Sequence, residues 1–503
     1  MRHITLGLLL ACFVPLAAFA ETPSKGPLPK ELLPSPIYSP EPGFTDLYWK
    51  AWELAWDRVK YQEGVPQSPY MDENLWDDTI WIWDTEFMVL FCRYAPDIFP
   101  GIESLDNFYR CILEKESTAL RIQHPDNPPF YSWVEWEYYK VTGDRDRLEK
   151  VFVEHQWPQR HYQWFDSLKI GTQLHFEHAP ILLQKEDLGY RWGDVQSGMD
   201  NTPRTADAIS VEDMLWMDAA AQQALSALYI SRIGKELGRS DMVAEYDSLY
   251  AAGKKLLNDY YWDEDDGFYY DINSGDTTHI KVRTPAVYWA MLAEVADSTQ
   301  AGRVAAYAAD SLEFGGRYPW PTISRRHRCY DNETGDYWRG AVWLPTAYVG
   351  TKALETYGYN DLADENALRL LRQMEETYRT FTPATIWECY SPSASEPSIH
   401  TLPWNGKRER VRPDFCGWSA LGPISLFIEN VLGFNNIDAG AKLVEWRKKG
   451  EGTQGIRNLR FGDIVTDIVA EDNRLTVESN HPYTLRINGR DLSINKGKNK
   501  FKI

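Results

Sequence analysis

Two stretches of this chain repeat apolar residues at steps of three and four, and that spacing restricts what the chain can become. In Glu212–Gly238, the residues Met214, Met217, Ala221, Ala224 and Leu228 fall on one helical face, and Gly238 ends the run. Residues 363–378 repeat the pattern through Ala367, Leu370, Leu371, Met374 and Tyr378. From about residue 45 to 435, such patterns alternate with long loops rich in Trp, Gly, Pro and Asp. Helices joined by alternating short and long loops predict hairpins set in a ring, with function in the long loops at one end. No tight repeat of about 34 residues is visible, so a regular solenoid is not expected.

The two ends of the chain read differently. Residues 1–20, "MRHITLGLLLACFVPLAAFA", combine Arg2, an apolar run and a small-x-small ending, the pattern of an export signal cut before Glu21. A lipid anchor at Cys12 is the minority reading of the same stretch. No later stretch is long and apolar enough to span a bilayer, so an exported protein, periplasmic or extracellular, is expected. Residues 21–44 carry seven prolines and read as an extended surface arm. After residue 435, "RLTVESN" and "YTLRINGRDLSI" alternate at period two, and Asn488-Gly489 is a hairpin turn signal. A small β appendage over residues 441–503 follows.

Charge and aromatic content narrow the partners. A net charge of −20 argues against nucleic acid or an anionic membrane surface. The 21 Trp and 29 Tyr exceed ordinary packing needs, and flat apolar faces with polar rims suit sugar rings. The cysteines beyond Cys12, namely Cys92, Cys111, Cys329, Cys389 and Cys416, match no zinc spacing. "WDEDDGFYYD" resembles a calcium loop, but Gly267 comes one place early and Ser274 stands where the closing Glu belongs. It reads as a turn with solvated acids, and no metal or cofactor is expected.

The chemistry concentrates in five loops. "QSGMDNTPR", residues 196–204, holds Asp200 in a rigid polar setting, and Pro203 keeps Thr202 out of helix; the next helix is expected to begin near Ser210. "WIWDTEF", "NPPFYSWVEWEYYKVTGD", "GDYWRGAVWLPTAY" and "TIWECYSPSASEPS" are equally dense in aromatic and ionisable residues. In the last, Glu388 sits between Trp387 and Tyr390, where partial desolvation favours its neutral form. The residues alone leave open an Asx-turn for Asp200 and a structural helix-end role for Glu388.

The order "WDTEF", "NPP", "SGMDNTPR", "GDYWRGAVW", "WECYSP" and "GWSALGPISLFIENVLG" resembles glycoside hydrolase family 63 and, more distantly, the trehalases of family 37. The resemblance covers about residues 47–434. It implies an (α/α)6 toroid, a six-hairpin barrel, carrying the small C-terminal β appendage. It also implies an exo-acting glycosidase that inverts configuration and needs no cofactor. Carried onto this sequence, the general acid falls on Asp200 and the general base on Glu388. Inversion needs room for a water, so the two carboxyls are expected about 6.5–9.5 Å apart. Asp200 must have a raised pKa to act as acid, so Arg204 is expected to bind another partner or the substrate rather than Asp200.

The same resemblance puts Trp83 and Asp84 at the non-reducing-end sugar, and Trp338, Arg339 and Trp343 in a "YWRGPVW" pattern with Ala341 in place of proline. Gln196 replaces a glutamate usual in the acid loop, and "WECYSP" lacks the usual Asn and Thr-Gly ending. Trp387, Tyr390 and Trp418 are candidate pocket walls. The expected substrate is an α-glucoside in an oligosaccharide or glycoconjugate. An α-mannosidase or mannosylglycerate-type hydrolase is the alternative on the same fold, and a polysaccharide lyase or non-catalytic glycan-binding protein the alternative from another class.

Overall fold

The computed structural model describes residues 25–73, 76–127, 129–177, 179–208 and 210–503. The expected export signal and the Cys12 anchor lie outside the described residues. Among the described residues, no helix is long and apolar enough to cross a membrane.

Some helices are buried on every side, and that decides the architecture. Ile82–Cys92, Tyr288–Leu292 and the wide-turned π helix Gly422–Val431 bury every residue. Met217–Leu237 and Leu344–Thr356 bury nearly all of theirs. A helix without a wet face must be surrounded by others. Among the described residues these helices pack in a circuit. Ile82–Cys92 lies on Tyr131–Thr142, then come Met217–Leu237, Tyr288–Leu292, Leu344–Thr356 and Gly422–Val431, and the last returns to Ile82–Cys92. Helices outside the circuit are amphipathic. Asn360–Thr380 buries Ala363, Ala367, Leu370, Leu371 and Met374 against the circuit and turns its charged side outward.

The long helix around Ala221 starts later than its periodicity predicts. Met214–Leu215 pairs as a short strand with Ile272–Asn273, and the segment Val211–Asp213 is a single 3-10 turn. The helix begins at Met217, whose amide donates to Asp271 at 2.8 Å, and ends at Gly238 with φ 70°.

The C-terminal region forms two sheets. Gln454–Phe461, Ile464–Glu471, Arg474–Ser479 and Gly497–Lys502 run antiparallel in one, and its outer strand is Ser35–Tyr38 from the proline-rich arm. The arm therefore does more than lie on the surface: it supplies an edge strand to residues 400 positions away. The second sheet holds Asn436–Asp438, Leu443–Trp446, Tyr483–Ile487 and Arg490–Ile494. Asn488 and Gly489 turn its hairpin with φ 47° and 81°, both left-handed, as a two-residue turn that follows strand twist requires.

One end of the helical circuit is tied together by a buried carboxylate. Glu429 accepts from Arg93 at 2.8 Å, Tyr94 at 2.6 Å, Tyr348 at 3.1 Å and Lys352 at 2.5 Å. Burial opposes its ionisation, but Lys352 and Arg93 hold its pKa down to about 2. The stability this contributes is present above the ordinary carboxylate pKa and is lost as pH falls toward 2. Glu429→Gln leaves Arg93 with Glu137 and Lys352 with Glu355 as their remaining carboxylates, so urea unfolding at pH 7 should show a loss of about 1–3 kcal/mol. The gap to wild type should shrink as pH falls below about 4.

Candidate active site

The opposite end of the circuit is open. Segments that run into the N-termini of the inner helices meet there around one cavity of about 320 Å³. That is at the small end of ligand pockets, which span about 300–1,000 Å³. The contributions are Glu73, Trp76, Trp81, Trp83 and Asp84 before Ile82–Cys92 and within its first turn, His124 and Asn127 before Tyr131–Thr142, and Val195, Gly198 and Asp200 before Met217–Leu237. Tyr337, Trp338 and Trp343 precede Leu344–Thr356, and Glu388, Arg412 and Trp418 precede the π helix.

Aromatic packing builds the inner wall. Trp338 stacks on Trp343 with centroids 4.1 Å apart and planes within 12°. Trp83 leans on Trp338 at 5.9 Å and on Trp418 at 5.8 Å, and Trp418 reaches Trp343 at 5.5 Å. The acid-loop candidate is pressed directly against this wall. Gly198 has φ 78°, and a Cβ there would stand 2.3 Å from the Trp83 ring, so the turn that delivers Asp200 requires glycine. Next to Asp200, the Asn201 side chain accepts from the Trp338 amide at 2.7 Å and donates to the Asp336 carbonyl at 3.0 Å. Those two bonds fix the loop to the aromatic wall, which is why this stretch is both rigid and polar.

Asp200 and Glu388 line the same cavity in opposite settings. Glu388 is 2% exposed. It accepts from the Tyr337 hydroxyl at 2.9 Å, the Arg412 guanidinium at 3.0 Å and the Arg412 amide at 3.2 Å. Asp200 is open to the cavity, with no comparable cation bound to it. Confinement by the cavity walls and then the charges of Glu388 and Asp194 raise its pKa to about 7, against a smaller opposing effect from Arg412. Asp84 and Glu73 are also pushed well upward, first by burial; Asp200 and Glu388 add to the shift of Asp84, and Asp84 to that of Glu73. His124 is driven down to about 4 by burial, so it is neutral at pH 7. Glu73 Oε1, Asp84 Oδ2 and Asn127 Oδ1 are buried polar atoms without a protein partner, as hydroxyl-binding groups would be.

The chain that forms this cavity is similar to known enzymes in sequence and fold. Residues 113–409, more than half of the chain, match the family model described as the mannosylglycerate hydrolase MGH1-like glycoside hydrolase domain. The chain belongs to that family. It is thus a glycoside hydrolase of the family 63 kind, among the six-hairpin glycosidases, and acts on glycosidic bonds. An uncharacterized protein of Borreliella burgdorferi is 25% identical over 483 residues, 91% of this chain and 95% of that one. The mannosylglycerate hydrolase of Rubrobacter radiotolerans is 30% identical over 162 residues, 31% of this chain and 36% of that enzyme's length. The solved family 63 mannosylglycerate hydrolase of Thermus thermophilus in complex with glucose shares the fold at a TM-score of 0.54 and 16% identity. That likeness covers 75% of this chain and 99% of that one.

In this glycoside hydrolase, Trp83, Asp84, Asp200, Trp338, Trp343, Glu388 and Trp418 meet at the cavity, and five other expected site residues do not. Arg204 is corrected outright. It is 1% exposed, its guanidinium donates twice to Asp218 at 2.5 and 3.0 Å and twice to Asp271 at 2.5 and 2.9 Å, and it lies over the Trp216 ring. Four of its five N–H donors are committed to those carboxylates and it lies outside the cavity lining, and as expected it does not pair with Asp200. Gln196 lies behind the wall, where its side chain meets His124 Nδ1 at 3.2 Å. Trp387 packs on Phe381, and its amide donates to the buried Tyr390 hydroxyl, so both belong to the core. Arg339 joins backbone bonds with Asp331 and Asp336 and stays outside the cavity wall.

Sequence reasoning missed Glu73, His124, Tyr337, His400 and Arg412. Tyr337 stood one place before a singled-out tryptophan, and Glu73 and Arg412 lie just before "WIWDTEF" and "GWSALGP". Their proximity to recognised stretches was the available signal; which carboxylate Arg412 meets was not encoded locally. Arg204→Met leaves Asp218 and Asp271 buried without a countercharge, so chemical denaturation should show a loss of about 3–5 kcal/mol. KM of the folded enzyme should stay within about twofold of wild type, the split expected of a structural ion pair rather than a substrate contact.

Proposed function

We propose that this chain is an exo-acting, inverting α-glycosidase in which Asp200 is the general acid and Glu388 the general base. The observation that carries the reading is the asymmetry of two carboxyls facing one cavity. Asp200, with its pKa near 7, keeps a proton to give to the glycosidic oxygen as the bond breaks. Glu388, held by Arg412 and Tyr337, is fixed to draw a proton from a water attacking the opposite face of the ring. Trp83 and its aromatic neighbours carry the apolar face of the sugar, and Asp84, Glu73 and Asn127 meet its hydroxyls. The helical circuit supports an (α/α)6 toroid spanning about residues 45–435, with the β appendage over 441–503 packed on it.

For the sugar, the mannosylglycerate-type reading has more support than an α-glucosidase. The family description and the Rubrobacter and Thermus relatives all carry that name. Glucose stays as the second sugar, since the Thermus enzyme is described in complex with glucose. The N-terminal sequence supports export to the periplasm or beyond.

Asp200→Asn and Glu388→Gln should each lower kcat on an α-mannoside or α-glucoside by about 10²–10⁴-fold while the fold is retained. Because Asp200 works protonated, wild-type kcat/KM should fall as pH rises through about 7. The raised pKa also destabilises the folded state once the carboxyl ionises, so Asp200→Asn should raise Tm at pH 8 and leave it unchanged below about pH 4. Turnover by either variant within threefold of wild type would remove the assignment.

A further inference from the structure

The cavity has an inside and a mouth, and the mouth is marked by exposed tryptophan. Trp83, Trp338, Trp343 and Trp418 are buried in the inner wall, while two more tryptophans line the same cavity in the open. Trp404 is 73% exposed and Trp76 48% exposed, the first being the most exposed of the large apolar side chains among the described residues. An indole left in water forgoes the burial that drives folding, so a pair of them at one opening calls for a ligand.

Both rings are held rather than trailing. Trp404 sits at the tip of the hairpin formed by Ile399–Thr401 and Arg408–Arg410, closed by the Leu402 amide to the Lys407 carbonyl at 2.9 Å and the Gly406 amide to the Leu402 carbonyl at 2.8 Å. The hairpin is tied to the catalytic loop at three points. The Thr401 amide donates to Asp336 at 2.8 Å, the Tyr337 amide donates to the Ile399 carbonyl at 2.9 Å, and His400 stacks on Tyr337 at 3.9 Å. Tyr337 in turn donates to Glu388. Trp76 stacks on Trp81 at 5.7 Å, with the Arg121 guanidinium 5.8 Å from its ring centre.

In a pocket closed at its inner end, the terminal sugar fills the bottom, and everything beyond the scissile bond leaves through the mouth. We infer that Trp404 and Trp76 form a stacking platform for a pyranose ring on the leaving-group side of the bond. The substrate class is then an α-linked di- or oligosaccharide, the ring on the platform carrying whatever acid the mannosylglycerate-type reading requires. This rests on the catalytic reading of Asp200 and Glu388 and extends it to the released group.

The test compares kcat/KM of wild type, Trp404→Ala and Trp76→Ala on α-mannosyl and α-glucosyl fluoride, on mannosylglycerate, and on α-linked di- and trisaccharides of the same sugars. Fluoride is too small to reach the platform. The ratio of kcat/KM on the best saccharide to that on its fluoride should drop roughly tenfold in each variant, the size of a lost ring-stacking contact. Wild type should also prefer a saccharide to mannosylglycerate. An unchanged ratio in both variants, or a wild type that prefers mannosylglycerate to every saccharide, overturns the platform while leaving the catalytic pair in place. A wild type that turns over neither fluoride nor any glycoside overturns the platform and the catalytic reading together.

Discussion

Crowding of carboxyl groups around one guanidinium is the constraint on which the site depends. Glu73, Asp84, Asp200 and Glu388 share a small cavity, and within its lining Arg412 commits its guanidinium to Glu388. With the compensating charge spent there, the other three experience confinement and mutual repulsion, and each is pushed toward its neutral form. Asp200 and Glu388 thereby face one cavity in different settings, the first without a cation of its own and the second held by Arg412 and Tyr337, the asymmetry on which the proposed acid and base roles rest.

The fold supplies that asymmetry by keeping its two ends different. At one end, Glu429 satisfies Arg93, Lys352 and two tyrosines, and the circuit of inner helices is tied together by matched charge. At the other, the loops entering the helices are long, and they are fixed sideways to one another rather than by their own secondary structure. Asn201 ties the Asp200 loop to Trp338, Trp343 donates to the Tyr337 carbonyl at 3.1 Å, and Trp418 Nε1 donates to the Glu388 carbonyl at 3.3 Å. Loop-to-loop bonding of this kind holds the cavity's carboxyl groups in register without filling the cavity.

Much of this was legible in the sequence where the signal was local. Periodicity marked the helices around Ala221 and Leu370, Gly238 marked a helix end, Asn488-Gly489 marked a hairpin, and the aromatic loops marked the cavity. Distant partnerships were not legible. Arg204 stands four residues from Asp200 in sequence, yet its charge belongs to Asp271, 67 positions on, because both are drawn beneath the start of the long inner helix. Met214 was assigned to that helix by spacing, but strand pairing with Asn273 claims it instead. The arm strand Ser35–Tyr38 is written in prolines, and its partner strand appears only after the chain has closed its helical circuit. The basic run Arg325–Arg328 pairs with Asp207, Asp310 and Glu313, none of them its neighbour in sequence.

The account stands on Glu388 acting through water while Asp200 donates from the other side. Proton NMR of the first minute of hydrolysis of an accepted α-glycoside tests this most directly. The β-anomer of the released sugar should appear first and decay to the equilibrium mixture by mutarotation. An α-anomer formed first would mean net retention, a covalent intermediate on one carboxylate, and a cavity chemistry other than the one described.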